Sequence, residues 1–496
     1  MNINTKSKKR SIFAFLAAIA IIFATGGCDA KDSIQELPNV IIGDEKEIPE
    51  KEGLYENPII KTADENVSTF SIDIDTASYV SFRSNISKMT LKEFQEGGYT
   101  IRTEEAINYF KYGYEKPTGE HPIAVTTSVG ECSWNNDARL AVITVAGKTL
   151  EASEQKGSNI VFLIDVSGSM SSNDKLPLLK ESLKMAIGNL NDKDTVSMVT
   201  YASGVKTVLS GAKGSEKDEI IEKLNSLTSG GRTAGASGLE LAYSVAQDYF
   251  IENGNNRVII ATDGDFNVGP SSVGEMKSMI TQKRESGIFL TVLGFGVTNY
   301  YSGDERLETL ADNGNGGFYI IDGISEGEKV LCEQFTGTLY TVAKDVKMQV
   351  TFNKDTVESY RLIGYENRVL LNSEFEDDSV DAGDLGAGQT VTAIYEIVLK
   401  NDATENLFTV SARYKEPNSE TSKQYDHTAK MNEDLGGDFY FASAVAEACL
   451  IVNNSTYKGN ASLEHACSAA YQYSGNDVYR KEFADILNGI KSQSTI

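Results

Sequence analysis

Two short apolar runs, Asn159-Ile160-Val161-Phe162-Leu163-Ile164 and Arg257-Val258-Ile259-Ile260-Ala261-Thr262, are each followed at once by an aspartate. Strands without polar alternation are buried on both faces, the pattern of a parallel sheet covered by helices on either side. From Asn159 to about Asp345 the chain alternates strand and helix, as parallel crossovers require. Leu176–Leu190, Glu216–Leu227, Ala236–Tyr249 and Val273–Glu285 read as helices, and Thr195–Tyr201, Phe289–Phe295 and Gly317–Ile321 as further strands. Val205–Leu209 follows Tyr201 after a short turn, which predicts an antiparallel edge strand. Glu326–Val346 reads as a closing helix. The expected core is therefore a doubly wound, mostly parallel α/β sheet.

Ligands of such sheets sit beyond the carboxyl ends of the strands. There, Asp165-Val166-Ser167-Gly168-Ser169 carries a carboxylate and two hydroxyls at alternate positions. Leu227–Gly235 adds Thr233 after the pair Gly230-Gly231, where the backbone can approach an ion closely. The second apolar run ends in Asp263. These hard oxygens suit Mg²⁺, Mn²⁺ or Ca²⁺ rather than zinc.

The order Asp-x-Ser-x-Ser, then Thr, then Asp resembles the metal-ion-dependent adhesion site of von Willebrand factor type A domains. The resemblance implies Asp165, Ser167, Ser169, Thr233 and Asp263 as the metal set, with Mg²⁺ the leading ion and Mn²⁺ or Ca²⁺ as alternatives. Some of these side chains would reach the ion through water. It further implies one open coordination position for an Asp or Glu of a partner protein, and hence metal-dependent adhesion or protein binding. Asp265 reads as a solvated loop carboxylate, or as a residue supporting that set.

Residues 57–150 mix strands and helices: Thr69–Asp75, Ile123–Val129 and Leu140–Val145 read as strands, and Thr76–Met89 and Glu104–Tyr112 as helices. Beyond Lys347 come strands at Met348–Phe352, Glu358–Ile363, Gln389–Leu399 and Phe408–Tyr414, then two helices, Asp438–Val452 and Ala461–Ile490. Ser68–Tyr79, Glu105–Phe110 and the C-terminal pattern resemble the flanks of the A domain in a YfbK-like group of bacterial lipoproteins. The expected domains are 57–150, 157–346 and 347–496. The acidic pair Asp73 and Asp75 reads as an exposed strand face with Asp75 capping the next helix; the alternative is a second cation site.

The N-terminus reads as a signal peptide over 1–27. Lys6, Lys8, Lys9 and Arg10 precede the apolar run Ile12–Phe23, which is shorter than the ~20 residues needed to span a bilayer. Ala24-Thr25-Gly26-Gly27 before Cys28 resembles a lipobox, with Thr25 where an aliphatic residue is usual. Cys28 is thus the expected lipidation site and 28–56 a flexible tether reaching on the order of 30 Å. The expected location is the cell envelope, with the protein anchored to the membrane by lipid on its extracytoplasmic side.

The formal net charge of −25 becomes −29 once the four cationic leader residues are removed. Such a balance argues against nucleic acid as a partner. Of the three histidines, His121, His427 and His465, none lies between Leu150 and Val346, and no nucleophile elbow or phosphate loop is present. A non-enzymatic binding protein is expected; a metal-assisted hydrolase and an envelope protein with a fold-stabilising ion are the alternatives. Cys449 and Cys467 lie symmetrically about Lys458 in the expected helical hairpin, which makes a disulfide between them a candidate. Nothing in the sequence pairs or separates Cys132 and Cys332.

Overall fold

The computed structural model describes residues 55–151, 154–232, 235–264, 273–296, 305–401, 403–417, 419–432 and 435–493. The signal peptide, Cys28, nearly all of the tether, Thr233 and Asp265 lie outside the described residues. Glu56, the tether's last residue, accepts hydrogen bonds from the Thr456 amide and hydroxyl.

The first segment holds β1 (Ile60–Lys61), β2 (Val67–Ser71), α1 (Ala77–Ile86), α2 (Leu91–Glu96), α3 (Thr103–Asn108), β3 (Ile123–Glu131) and β4 (Arg139–Gly147). Thr90 and Glu93 close a reciprocal capping box at the start of α2. The middle segment runs β5 (Ser158–Asp165), α4 (Leu176–Gly188), β6 (Thr195–Tyr201), β7 (Val205–Lys213), α5 (Lys217–Asn225), α6 (Gly235–Asp248) and β8 (Asn255–Thr262). It continues with α7 (Val273–Glu285), β9 (Ile288–Phe295), α8 (Glu305–Asn313), β10 (Phe318–Ile321), α9 (Ile324–Glu328) and α10 (Phe335–Leu339). Its sheet has the order β10-β9-β8-β5-β6-β7. All pairs are parallel except β6–β7, so the predicted edge strand is found. Every residue of β5, β6 and β8 is buried, which is why these runs show no polar alternation. Helix α4 starts with Pro177 in its first turn and turns Leu179, Leu183, Ala186 and Ile187 onto the sheet.

The predicted closing helix over Glu326–Val346 is not continuous. A π-type turn at Lys329–Glu333 separates α9 from α10, and a strand, β11 (Thr341–Phe352), begins where helix was expected. The β-branched Thr341, Val342 and Val346 favour a strand, and the partners on either side of β11 complete it.

The last segment adds β12 (Val357–Ile363), β13 (Val369–Leu370), β14 (Leu385–Gly386), β15 (Thr390–Leu399), β16 (Phe408–Lys415) and β17 (Ser422–Ala429). Two sheets result, ordered β1-β12-β15-β4-β3 and β13-β2-β11-β16-β17. Each contains strands from both ends of the chain: β4 pairs with β15, and β2 with β11. The segments 57–150 and 347–496, read separately in the sequence, thus interleave around one apolar core. Phe352 lies inside it, stacked on Tyr360 with ring centroids 4.1 Å apart and meeting Tyr395 and Phe408 at 5.3 and 5.6 Å. The middle domain is inserted between the two halves. Its first strand and the residue after its last helix meet where the Ser158 and Tyr340 hydroxyls hydrogen-bond at 3.0 Å.

Three helices end the chain rather than two: α11 (Gly437–Val452), α12 (Leu463–Gln472) and α13 (Val478–Gln493). Gly475, in the left-handed region at φ +58°, and the carboxylate of Asp477, which accepts from the Tyr479 and Arg480 amides, break the expected second helix. The candidate disulfide is not formed: Cys449 and Cys467 are both free. The Cys467 thiol faces the Ala484 carbonyl on α13, while Cys449 is turned toward Thr103 on α3. Symmetry about the loop placed the two residues on adjacent helices without setting the rotation of either.

Asp73 and Asp75 are buried at 2% and 3% exposure, contrary to the exposed strand face expected. Asp75 does not cap α1; its Oδ1 accepts instead from the Phe318 amide at the start of β10. Arg368 bridges Asp73 at 3.1 Å and Asp312 of α8 at 3.3 Å. The pair therefore sits where the inserted domain meets the sandwich.

Candidate metal site

The parallel register brings Asp165, at the end of β5, opposite Tyr201 at the end of β6. Beyond it the chain turns sharply: the Ser167 amide donates to Asp165 Oδ1 at 2.7 Å, and the Ser167 and Ser169 hydroxyls lie 2.9 Å apart. The α5–α6 loop is laced to this turn by two backbone hydrogen bonds, Gly230 N to Val166 O at 2.7 Å and Gly168 N to Gly231 O at 3.1 Å. Gly231 needs to be glycine. Its φ is +88°, and a Cβ there would stand 2.5 Å from the Ser203 hydroxyl oxygen, which accepts from the Arg232 amide. The loop is thus fixed two residues before Thr233, whose own position lies outside the described residues.

Asp165 and Asp263 are both fully buried. Burial pushes the Asp165 carboxyl up to about 6; hydrogen bonds from Ser167 favour the charged form, and the neighbouring Asp263 charge opposes it. Asp165 Oδ2 is buried without a hydrogen bond of ordinary geometry, although the Tyr201 hydroxyl lies close enough to help hold the charge. On the other side, the Lys175 ammonium donates to Asp263 Oδ2 at 2.8 Å. The lysine stem lies over Gly296 at the end of β9, where a Cβ would come within 2.5 Å of Lys175 Cε.

Four of the five residues of the expected set therefore lie on neighbouring strand-end loops of the described structure. Among the described residues no group of three or more His, Cys, Asp or Glu side chains is arranged to hold a metal. A site made of two carboxylates and hydroxyls rests instead on neutral oxygens for the remainder of its shell. Its donors fit a hard divalent ion: two carboxylates, an Asp165 oxygen lacking a well-formed hydrogen bond, and two converging hydroxyls. The histidines are engaged elsewhere, His121 with Tyr414, His427 with Thr127 and His465 with Glu447.

Sequence reasoning missed Lys175, Tyr201, Ser203 and Gly296. Strand register could have suggested Tyr201, and Gly296 closes an apolar run at the same sheet end. Lys175 carried no signal, since a lysine at a helix start reads as exposed.

Residues 159–328 match the model of the von Willebrand factor type A domain, 49–142 a model described as von Willebrand factor, and 337–492 the model of the C-terminal region of uncharacterized protein YfbK. The chain is 36% identical to YfbK of Escherichia coli K12 over 464 residues, covering 87% of this chain and 79% of that protein. It is 26% identical over 166 residues to rat inter-alpha-trypsin inhibitor heavy chain H3, covering 32% of this chain and 18% of that one. Among solved structures it is similar to a von Willebrand factor type A protein from Catenulispora acidiphila. The TM-score there is 0.42 at 17% identity, covering 74% of this chain and 90% of that one.

Proposed function

Because this chain belongs to the YfbK family and carries a central von Willebrand factor type A domain, we propose that it is a cell-envelope lipoprotein that captures an acidic protein ligand through a divalent cation. Asp165, Asp263, Ser167, Ser169 and Thr233 would hold the ion, Mg²⁺ foremost, and the ion would supply a positive charge for a partner's carboxylate. The observation that carries this reading is the lacing of the Ser167–Ser169 turn to the Gly230–Gly231 loop. It gathers hydroxyls beside two buried carboxylates at the carboxyl end of the sheet. The membrane anchor rests on the leader and Cys28. A hydrolytic use of the same carboxylates has less support, because the histidines are all engaged in other parts of the fold.

The test is calorimetry of the mature chain with MgCl₂ and MnCl₂, followed by capture from envelope extracts with and without chelator. Asp165→Ala and Asp263→Ala should each abolish cation uptake and capture while leaving the chain folded. A folded wild-type chain that takes up neither ion at millimolar concentration would refute the metal reading. Turnover of a substrate by the metal-loaded chain would replace binding with catalysis.

A further inference from the structure

We propose that Lys175 is an internal counter-cation for this site: its ammonium neutralises Asp263 when no ion is bound and has to leave for a divalent ion to enter. The inference rests on the metal reading above and adds a regulatory contact to it. Three observations carry it. The ammonium is 2.8 Å from Asp263 Oδ2, with the lysine side chain 11% exposed and the aspartate side chain 0%. Gly296 leaves the room in which the lysine stem lies, since a Cβ there would collide with Lys175 Cε and Cγ at 2.5 and 2.9 Å. The second carboxylate of the site, Asp165, is equally buried, its Oδ2 has no well-formed hydrogen bond, and the neighbouring Asp263 charge disfavours its ionised form.

The charge balance gives the consequence. With Lys175 in place, two ionised carboxylates and one ammonium leave the site with one excess negative charge. A divalent ion without Lys175 balances it fully, whereas a divalent ion together with Lys175 overshoots it. Two cations on one desolvated carboxylate repel strongly, so their occupancies exclude one another. Lysine suits such exchange, being a point charge on a flexible four-carbon stem that is readily hydrated when it swings out. The ion-free site is thereby kept from holding two unpaired buried charges, a strongly destabilising arrangement. The cost falls on the ion, which binds more weakly than its ligands alone would allow.

The test compares the full mature chain with Lys175→Met, which keeps the stem and removes the charge, and Lys175→Arg, which keeps the charge. Should Lys175→Met not fold, Lys175→Gln makes the same comparison. Calorimetry with MnCl₂ and MgCl₂ alone should give at least about tenfold tighter binding to the neutral variant, ~1.4 kcal/mol, and no such gain for Lys175→Arg. Without metal, the neutral variant should unfold at lower urea than wild type, and saturating Mn²⁺ should restore it. Equal affinity in wild type and the neutral variant overturns it while leaving the metal site standing. No uptake by either overturns both.

Discussion

Replacing Glu104 by glutamine should flatten part of the dependence of stability on pH. Glu104 sits in the first turn of α3, 1% exposed, with Oε2 buried and unbonded. Burial pushes its carboxyl from 4.5 up to about 8, and the charges of Glu366, Asp73 and Glu105 push the same way against a hydrogen bond from the Tyr365 backbone. Cys449 of α11 also faces it. The folded chain therefore holds a proton that the unfolded chain gives up above pH 4.5. By linkage, the stability from this group is complete below the unfolded value and drains away as pH rises toward the folded one. At pH 7 the solution stands about 2.5 pH units above the group's unfolded value while the group is still protonated in the fold, a penalty of roughly 3 kcal/mol. At pH 5 the penalty is under about 1 kcal/mol. Glutamine fills the same space without a proton to lose. Urea unfolding of both proteins at pH 5, 6 and 7 and constant ionic strength should show Glu104→Gln gaining about 2 kcal/mol on wild type across that interval. Asp384 and Asp312, raised to about 7 and 6 by burial, shift both curves alike to first order, whereas Glu105 and Glu366 act on Glu104 and titrate with it, so the difference reads Glu104 together with these two neighbours. Parallel curves for the two proteins would refute this account of Glu104.

Two further outcomes are expected. Phe352→Ala removes a fully buried ring that meets Tyr360 and Tyr395 of the facing sheet and Phe408 of its own, and should cost about 3–5 kcal/mol in denaturant unfolding without altering metal affinity. Cys28→Ser should move the protein from the detergent phase to the soluble fraction on phase partitioning; unchanged partitioning would remove the lipid anchor.

The inserted domain was legible because its determinants are local. Unbroken apolar runs at Ile160–Ile164 and Val258–Thr262 specify doubly covered strands, and such strands end where ligands bind. That placement puts Asp165, Ser167, Ser169 and Asp263 at one end of the sheet, and the resemblance to the adhesion site is what joined them into one set. What escaped depends on distant partners. Ser422–Ala429 is too polar to read as a strand by itself, and it is completed by pairing along β16. Asp73 and Asp75 look solvated until Arg368, almost three hundred residues later, folds over them. Lys175 reads as surface charge until Asp263 and Gly296 arrive from two other strands.

The hydrogen bond between Ser158 and Tyr340 joins residues 182 positions apart, and this bears on the order in which the chain can fold. β2, β3 and β4 leave the ribosome long before β11 and β15 exist to pair with them, so the first half of the sandwich waits with open edges. Joining the halves across a slack loop of that length would cost about 4–5 kcal/mol in chain entropy. Once the inserted domain has folded, its two ends are held side by side, and the halves meet as if tethered by a short hairpin. The domain proposed to hold the cation would also serve as the clasp that assembles its own scaffold.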